Sequence, residues 1–109
     1  MGIQNGQLPI PGMAIADSGS VELIRVWIAG KGLQTSLRVG AWGHTPTIDE
    51  PKAWGIVLAD VVNHVADALT RQGKNKSETV VKIRASFLAE LDGPTSSTVG
   101  EFVDEPSRN

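Results

Sequence analysis

The residues best suited to chemistry lie in one segment near the middle of the chain. Asp60, His64 and Asp67 are three or four positions apart, so an α-helix would bring them to one face. Imidazole and carboxylate groups can bind a metal ion or move a proton. The same pattern is common on a solvated helix face, and a site needs further convergent groups, for which His44 is a candidate. We therefore expect no metal and no cofactor.

Two arginines could complete an alternative site. Arg25 and Arg38 lie on predicted strands and, together with Asp60 and His64, could hold a small anionic ligand. The sequence contains no Gly-x-Ser-x-Gly nucleophile motif and no phosphate-binding glycine loop. It also contains no cysteine, which excludes thiolate catalysis, disulfides and zinc–thiolate sites. The sequence thus favours a non-catalytic protein over an enzyme.

Charge and hydropathy exclude other classes of function. The net charge of -2 argues against an electrostatic hold on nucleic acid, and the basic stretch from Arg71 to Arg84 has no aromatic residue on which bases could stack. No apolar run approaches the ~20 residues that cross a bilayer. The N-terminus lacks the basic and apolar regions of a secretory signal, and the absence of cysteine suits a reducing compartment. We expect a cytoplasmic protein without nucleic acid or membrane partners.

The segment from Val21 to Val39 predicts a β-hairpin. Two β-rich runs flank Gly30-Lys31, which suits a type II′ turn. If Ala29 pairs with Gly32, one face of the hairpin is almost entirely aliphatic, and a shift by one residue would mix the two faces. That aliphatic face comprises Ile24, Val26, Ile28, Leu33, Thr35 and Leu37, and the opposite face comprises Leu23, Arg25, Trp27, Gln34, Ser36 and Arg38.

Trp27 is the exception on the polar face. Its ring either lies over the arginine stems or marks an interface together with Leu23 and Gln34. Because a two-stranded sheet is marginally stable by itself, pairing of two copies would remedy both features. The sequence thus predicts a homodimer, formed through the Trp27 face or through an open hairpin edge.

Two helices are predicted after the hairpin. The first begins near Pro51, ends before Gly73 and carries an apolar stripe comprising Trp54, Leu58, Val61, Val62, Val65 and Leu69. Gly55 within it predicts close approach of another backbone. Residues 78–91 match a strand by alternation and a helix by spacing. The Ser77 N-cap and the glycine stop after Asp92 favour the helix.

The chain is predicted to be a single α+β domain. Residues 1–19 are read as a flexible arm, 20–94 as the domain with both helices packed on the aliphatic face, and 95–109 as a mostly flexible tail. Within the tail, a short extended segment containing Val99, Phe102 and Val103 could dock. The tripeptide Ala-Trp-Gly occurs twice, and we expect Trp42 and Trp54 to be buried anchors that clamp the connector between them.

Several of these residues resemble a family of short bacterial proteins, the domain of unknown function 5076. The resemblance covers about Glu22 to Thr95, and its marks are Arg-Val-Trp, Trp-Gly-x-x-Leu-x-Asp-x-x-x-His, and Phe-x-x-Glu followed by Pro-Thr. The matching positions are Arg25, Val26 and Trp27; Trp54, Gly55, Leu58, Asp60 and His64; and Phe87, Glu90, Pro94 and Thr95. The family implies a helical last element and no established activity.

Overall fold

The computed structural model of the protein describes residues 6–43 and 45–104. Its elements are α1 (Gly12–Ala16), β1 (Ile24–Ala29), β2 (Gly32–Val39), α2 (Glu50–Thr70), α3 (Lys76–Asp92) and β3 (Thr98–Asp104). The predicted α+β class is confirmed, and α3 is a helix. His44, proposed above as a further ligand, lies outside the described residues.

The hairpin forms in the predicted register, with Ala29 opposite Gly32 and Ile24 opposite Leu37. The turn differs from the expected type II′. Gly30 and Lys31 both have positive φ, at 59° and 65°, which defines a type I′ turn. This turn matches the twist of the strands, but it places a lysine in the left-handed region that glycine or asparagine normally occupies.

A third strand completes the sheet in the order β1-β2-β3. β3 pairs parallel to β2, with Gly100 beside Thr35 and Phe102 beside Leu37. A Cβ atom at Gly100 would lie 2.8 Å from the backbone N of Thr35, so only glycine permits this approach. The extended segment considered in the C-terminal tail is therefore a strand, and β1 and β3 are the two edges of the sheet.

The N-terminal segment contains a short helix instead of coil alone. α1 spans five residues, and the Ser20 hydroxyl donates to the Ala14 carbonyl at 2.7 Å. The sequence offered no apolar periodicity there from which this helix could be predicted. The flexibility of the two arms and the domain boundaries at residues 19 and 94 stay predictions.

The long helices begin and end for identifiable reasons. Pro51 lies in the first turn of α2, and Gly73, with φ 93°, follows its C-terminus as expected. α3 is capped by Asn75, whose side-chain oxygen accepts from the Glu78 N–H at 3.0 Å. The expected cap, Ser77, lies inside the helix. Asn75 has the advantage that Glu78 follows it by three residues, as in a capping box.

The helices pack on each other and not on the sheet. Among the described elements, neither long helix has a Cα atom within 8 Å of a strand Cα, whereas α2 and α3 contact each other. The expected covering of the aliphatic face by the helices is therefore not seen within one chain. Ala66, where α2 meets α3, is the one fully buried hydrophobic residue of the described part. The chain has two thin layers and little core of its own.

Candidate functional site

The two arginines of the alternative site both contact Glu22, the residue two positions before β1. Arg25 donates from Nη2 to Oε1 of Glu22 at 2.8 Å and from Nε to Oε2 at 3.3 Å. Arg38 donates from Nε to the Glu22 backbone carbonyl at 3.1 Å. A carboxylate and a carbonyl thus already accept from some of the donors that an anionic ligand would use. Glu22 was not predicted as part of the site, although its negative charge three residues before Arg25 could have indicated the ion pair.

Asp60 and His64 are exposed on α2, one turn apart. Asp67, the third member of the predicted face, accepts a hydrogen bond from Lys76 Nζ at 2.8 Å. This hydrogen bond, then the positive charge of Lys76, lowers the pKa of the Asp67 carboxyl, with smaller contributions from His64 and Arg71. Asp67 therefore links the end of α2 to the start of α3.

The predicted ligand-binding residues do not meet. Arg25 and Arg38 lie on β1 and β2, and no Cα atom of these strands lies within 8 Å of one in α2, which carries Asp60 and His64. Within residues 6–43 and 45–104, no group of three or more histidine and acidic side chains could hold a metal ion. The residues fall on two separate surfaces, and a ligand at either of them stays a prediction.

The Trp27 face of the sheet is partly covered. Leu23, Trp27 and Gln34 are half-buried, and the Gln34 amide donates weakly to the Ala29 carbonyl at 3.5 Å. β3 extends this face beyond the hairpin, since its register places Val99 beside Gln34 and Val103 beside Arg38. Both valines are exposed. An interface at Leu23, Trp27 and Gln34 stays a prediction.

The aliphatic face of the sheet exposes several large apolar side chains. β3 adds Phe102 to it, and this ring is 68% exposed, while Ile28 is 84% exposed. An open groove of about 940 Å³ also runs between β1 and the N-terminal segment and is lined largely by apolar side chains, among them Leu8, Ile10 and Ile15. From here on, the aliphatic face comprises Ile24, Val26, Ile28, Leu33, Thr35, Leu37 and Phe102. These exposed apolar groups form a surface that water solvates poorly.

A carboxylate joins the sheet to the helices. Oε2 of Glu50 accepts from the Gly40 N–H at 2.8 Å and from Trp54 Nε1 at 3.1 Å. The Trp54 ring meets Trp42 edge to face, with centroids 6.0 Å apart. The two ends of the connector thus meet through this ring contact, but both tryptophans are half-buried and the expected burial of the rings is not seen. Glu50 was missed because its position in the first turn of a helix explained it sufficiently.

A second carboxylate orders the chain after α3. Oε1 of Glu90 accepts from the Thr95 N–H at 3.0 Å, and Oε2 accepts from the Thr95 hydroxyl at 2.6 Å. The hydroxyl bond and then the backbone bond lower the pKa of the Glu90 carboxyl. This pair fixes the turn at Pro94 that leads from α3 toward β3.

Comparison with known proteins gives the chain a family. The family model of the domain of unknown function DUF5076 matches residues 7–95, most of the chain. The chain belongs to the DUF5076 family. A comparison with curated proteins found no match.

The DUF5076 chain also resembles a solved structure from the photosynthetic bacterium Rhodopseudomonas palustrus CGA009, provisionally described as a pyruvate dehydrogenase. The TM-score is 0.61 at 23% identity, and the match covers 94% of this chain and 95% of the other. At this identity, the likeness shows the fold alone. Across the described residues, no helix is long and apolar enough to cross a membrane.

The residues that mark the family have structural contacts in this chain. Arg25 forms an ion pair with Glu22, and the Trp54 indole N–H donates to the Glu50 carboxylate. The Glu90 carboxylate accepts from the Thr95 hydroxyl. Gly55 is different, because a Cβ atom there would meet nothing within 4 Å, so the expected close approach of a backbone is not seen within one chain. Asp60 and His64 are family positions with exposed side chains, as are Val26 and Phe87.

Proposed function

We propose that this DUF5076 protein acts through protein–protein contact, as a homodimer, and that it is not an enzyme. The observation that carries the proposal is the lack of a core: Ala66 is the one fully buried hydrophobic residue among those described, while both layers expose large apolar side chains. A domain of about 100 residues normally buries well over half of the surface that its unfolded chain exposes. In this protein, burial of a comparable fraction of the surface requires a partner surface.

The exposed area supports a partner of substantial size. The whole chain, including residues outside the described ranges, exposes 8892 Å². A compact monomer of 11.5 kDa would expose about 5,800 Å². The difference exceeds the roughly 1,200–2,000 Å² that stable protein–protein interfaces bury in total. A second copy is the partner that a small domain always has available, and closed two-fold pairs are the commonest oligomers.

The name of the solved relative does not carry a function to this chain. Its likeness shows the fold alone, and the groups that could do chemistry here are dispersed: Arg25 and Arg38 are bound around Glu22, and Asp60 and His64 lie on another element. We propose that the protein acts in the cytoplasm, because a chain without cysteine suits a reducing compartment.

Sedimentation equilibrium tests the proposal. We expect a mass of two chains at micromolar concentration and a melting temperature that rises with protein concentration, as mass action requires for a dimer. A single-chain mass across the whole concentration series, with a constant melting temperature, would contradict the proposal. The Trp27→Ala variant tests which face of the sheet forms the interface. Loss of the dimer in this variant would place the interface at Leu23, Trp27 and Gln34.

A further inference from the structure

The helix α3 has more apolar surface than one partner can cover. In its N-terminal half Thr79 is buried, Val80 and Ile83 are half-buried and Val81 is exposed. The one described element with Cα atoms within 8 Å of α3 is α2. Phe87, Leu88 and Leu91 remain exposed in the C-terminal half, Leu91 by 66%. A helix that is apolar over a wide arc is normally buried on more than one side. This wide arc is also the reason why residues 78–91 match both a strand and a helix pattern.

The aliphatic face of the sheet is a second apolar surface that lacks a cover in its own chain. Helix on sheet is one of the few stable layer arrangements, and a sheet with an apolar face requires such a cover. No described helix of the same chain lies on it. Each copy therefore holds one uncovered apolar helix surface and one uncovered apolar sheet surface.

The chain is not arranged to join these two surfaces by itself. The connector after β2 is organised by consecutive turns, from Gly43 N–H to the Gly40 carbonyl and from Thr45 N–H to the Trp42 carbonyl, both at 3.0 Å. The Glu50 carboxylate then ties Gly40 to α2. These bonds set the direction in which α2 leaves the sheet, and α3 follows α2 through their mutual packing. For α2 and α3 to pack on the sheet of their own chain, the hydrogen bonds from Gly40 and Trp54 to the Glu50 carboxylate would have to break.

We propose that the protein forms a reciprocal dimer, in which the exposed C-terminal half of α3 of each copy packs on the aliphatic face of the other. This inference rests on the proposed function and names its surfaces. One two-fold operation covers all four exposed surfaces, and the excess area described above is sufficient for two such junctions. The proposed junction pairs Phe87, Leu88 and Leu91 with Val26, Ile28, Leu33 and Phe102.

A complementation experiment tests this arrangement. Ile28→Lys damages the sheet surface and Leu91→Lys the helix surface; both side chains are largely exposed in one chain, so each variant should fold. A homodimer of either variant has two damaged junctions. We expect the dissociation constant of this homodimer to be about 100-fold higher or more than that of the wild type, since a charge enters an apolar contact. Mixed one to one, the two variants can form a heterodimer with one intact junction. Sedimentation of the mixture should show dimer that neither variant forms alone.

Matched controls lie outside the proposed junction. Val99→Lys changes a valine on the opposite face of the sheet that is 64% exposed, and Ile56→Lys changes an isoleucine of α2 with the same exposure. We expect both to remain dimeric. If Val99→Lys dissociates the dimer and Ile28→Lys does not, the interface is the Trp27 face and the reciprocal arrangement is wrong.

The remaining outcomes separate the two proposals. A dimeric wild type whose two lysine variants fail to rescue each other would overturn the reciprocal arrangement but leave the dimer standing, as expected for helix-to-helix or sheet-to-sheet pairing. A monomeric wild type overturns both proposals.

A cross-linking experiment tests the same junction. Because the chain has no cysteine, an Ile28→Cys variant and a tagged Leu91→Cys variant can be mixed and joined with a short bismaleimide. A tagged–untagged product supports the junction, and its absence from a dimeric mixture contradicts it.

Discussion

Replacing Glu50 with alanine should loosen the junction between the sheet and the helices. Oε2 of Glu50 is the acceptor for both the Gly40 N–H and the Trp54 indole N–H, and the site is partly buried. The substitution removes this acceptor and leaves two donors without a protein partner. It also removes a negative charge from the first turn of α2, where the helix dipole favours one.

The magnitude follows from these contacts. A hydrogen bond to a charged group contributes about 1.5–3 kcal/mol net when buried, and partial access of water reduces the value for each bond here. We expect Glu50→Ala to lower the free energy of unfolding by about 3 kcal/mol, equivalent to a fall of about 12 °C in melting temperature for a domain of this size. Glu50→Gln keeps one acceptor oxygen and should cost about 1 kcal/mol.

Urea unfolding followed by far-UV circular dichroism measures these values without relying on tryptophan emission. Protein concentration must be held constant, because the stability of a dimer depends on it. A double-mutant cycle with Trp54→Phe, which removes the indole N–H and keeps an aromatic ring, should give a coupling energy of about 1 kcal/mol between Glu50 and Trp54. Additive losses, or a Glu50→Ala variant as stable as the wild type, would refute the reasoning.

Three smaller predictions follow from the caps, the turn and the interhelical ion pair. Asn75→Ala should lower the free energy of unfolding by about 1 kcal/mol, since it removes the cap of α3, whereas Ser77→Ala should change it little; equal losses in urea unfolding would contradict this assignment. Lys31→Gly should raise the melting temperature, because φ 65° at this turn costs a lysine about 1 kcal/mol that glycine avoids; a lower melting temperature would show that the turn is unstrained. Asp67 has a folded pKa below its unfolded value because of Lys76, so its stabilisation is present above pH ~4 and is lost as pH falls through the folded pKa; unfolding of Asp67→Asn should therefore depend less on pH in acid, and an unchanged dependence would contradict the pairing.

The candidate site was predictable from sequence only as a set of residue types. Asp60 and His64 do share a helix and remain exposed, since helical spacing depends on local geometry alone. The convergence of Arg25 and Arg38 on Glu22 depends on how the chain enters β1 and where β2 ends. Opposite charges three residues apart could indicate the Glu22–Arg25 pair, whereas spacing carries no information on the contact of Arg38 with the Glu22 carbonyl.

Local patterns in the sequence determined the elements and the hairpin register. A strand repeats every two residues, so a shift by one would mix apolar and polar side chains on each face of the hairpin, and this mismatch favours the pairing of Ala29 with Gly32. The first long helix follows from its apolar stripe, from Pro51 at its start and from Gly73 after its end. These signals act within a few residues, where the physical chemistry of the backbone decides.

The tertiary structure alone decided which distant segments meet. The parallel pairing of β2 with β3 joins positions 65 residues apart, Leu33 and Thr98, and depends on the space that Gly100 leaves beside Thr35. The separation of the two layers is equally non-local, because it follows from the way in which Glu50 and the tryptophan pair fix the start of α2. An apolar pattern shows that a surface requires burial, and only the arrangement of all the elements shows that a single chain leaves it uncovered.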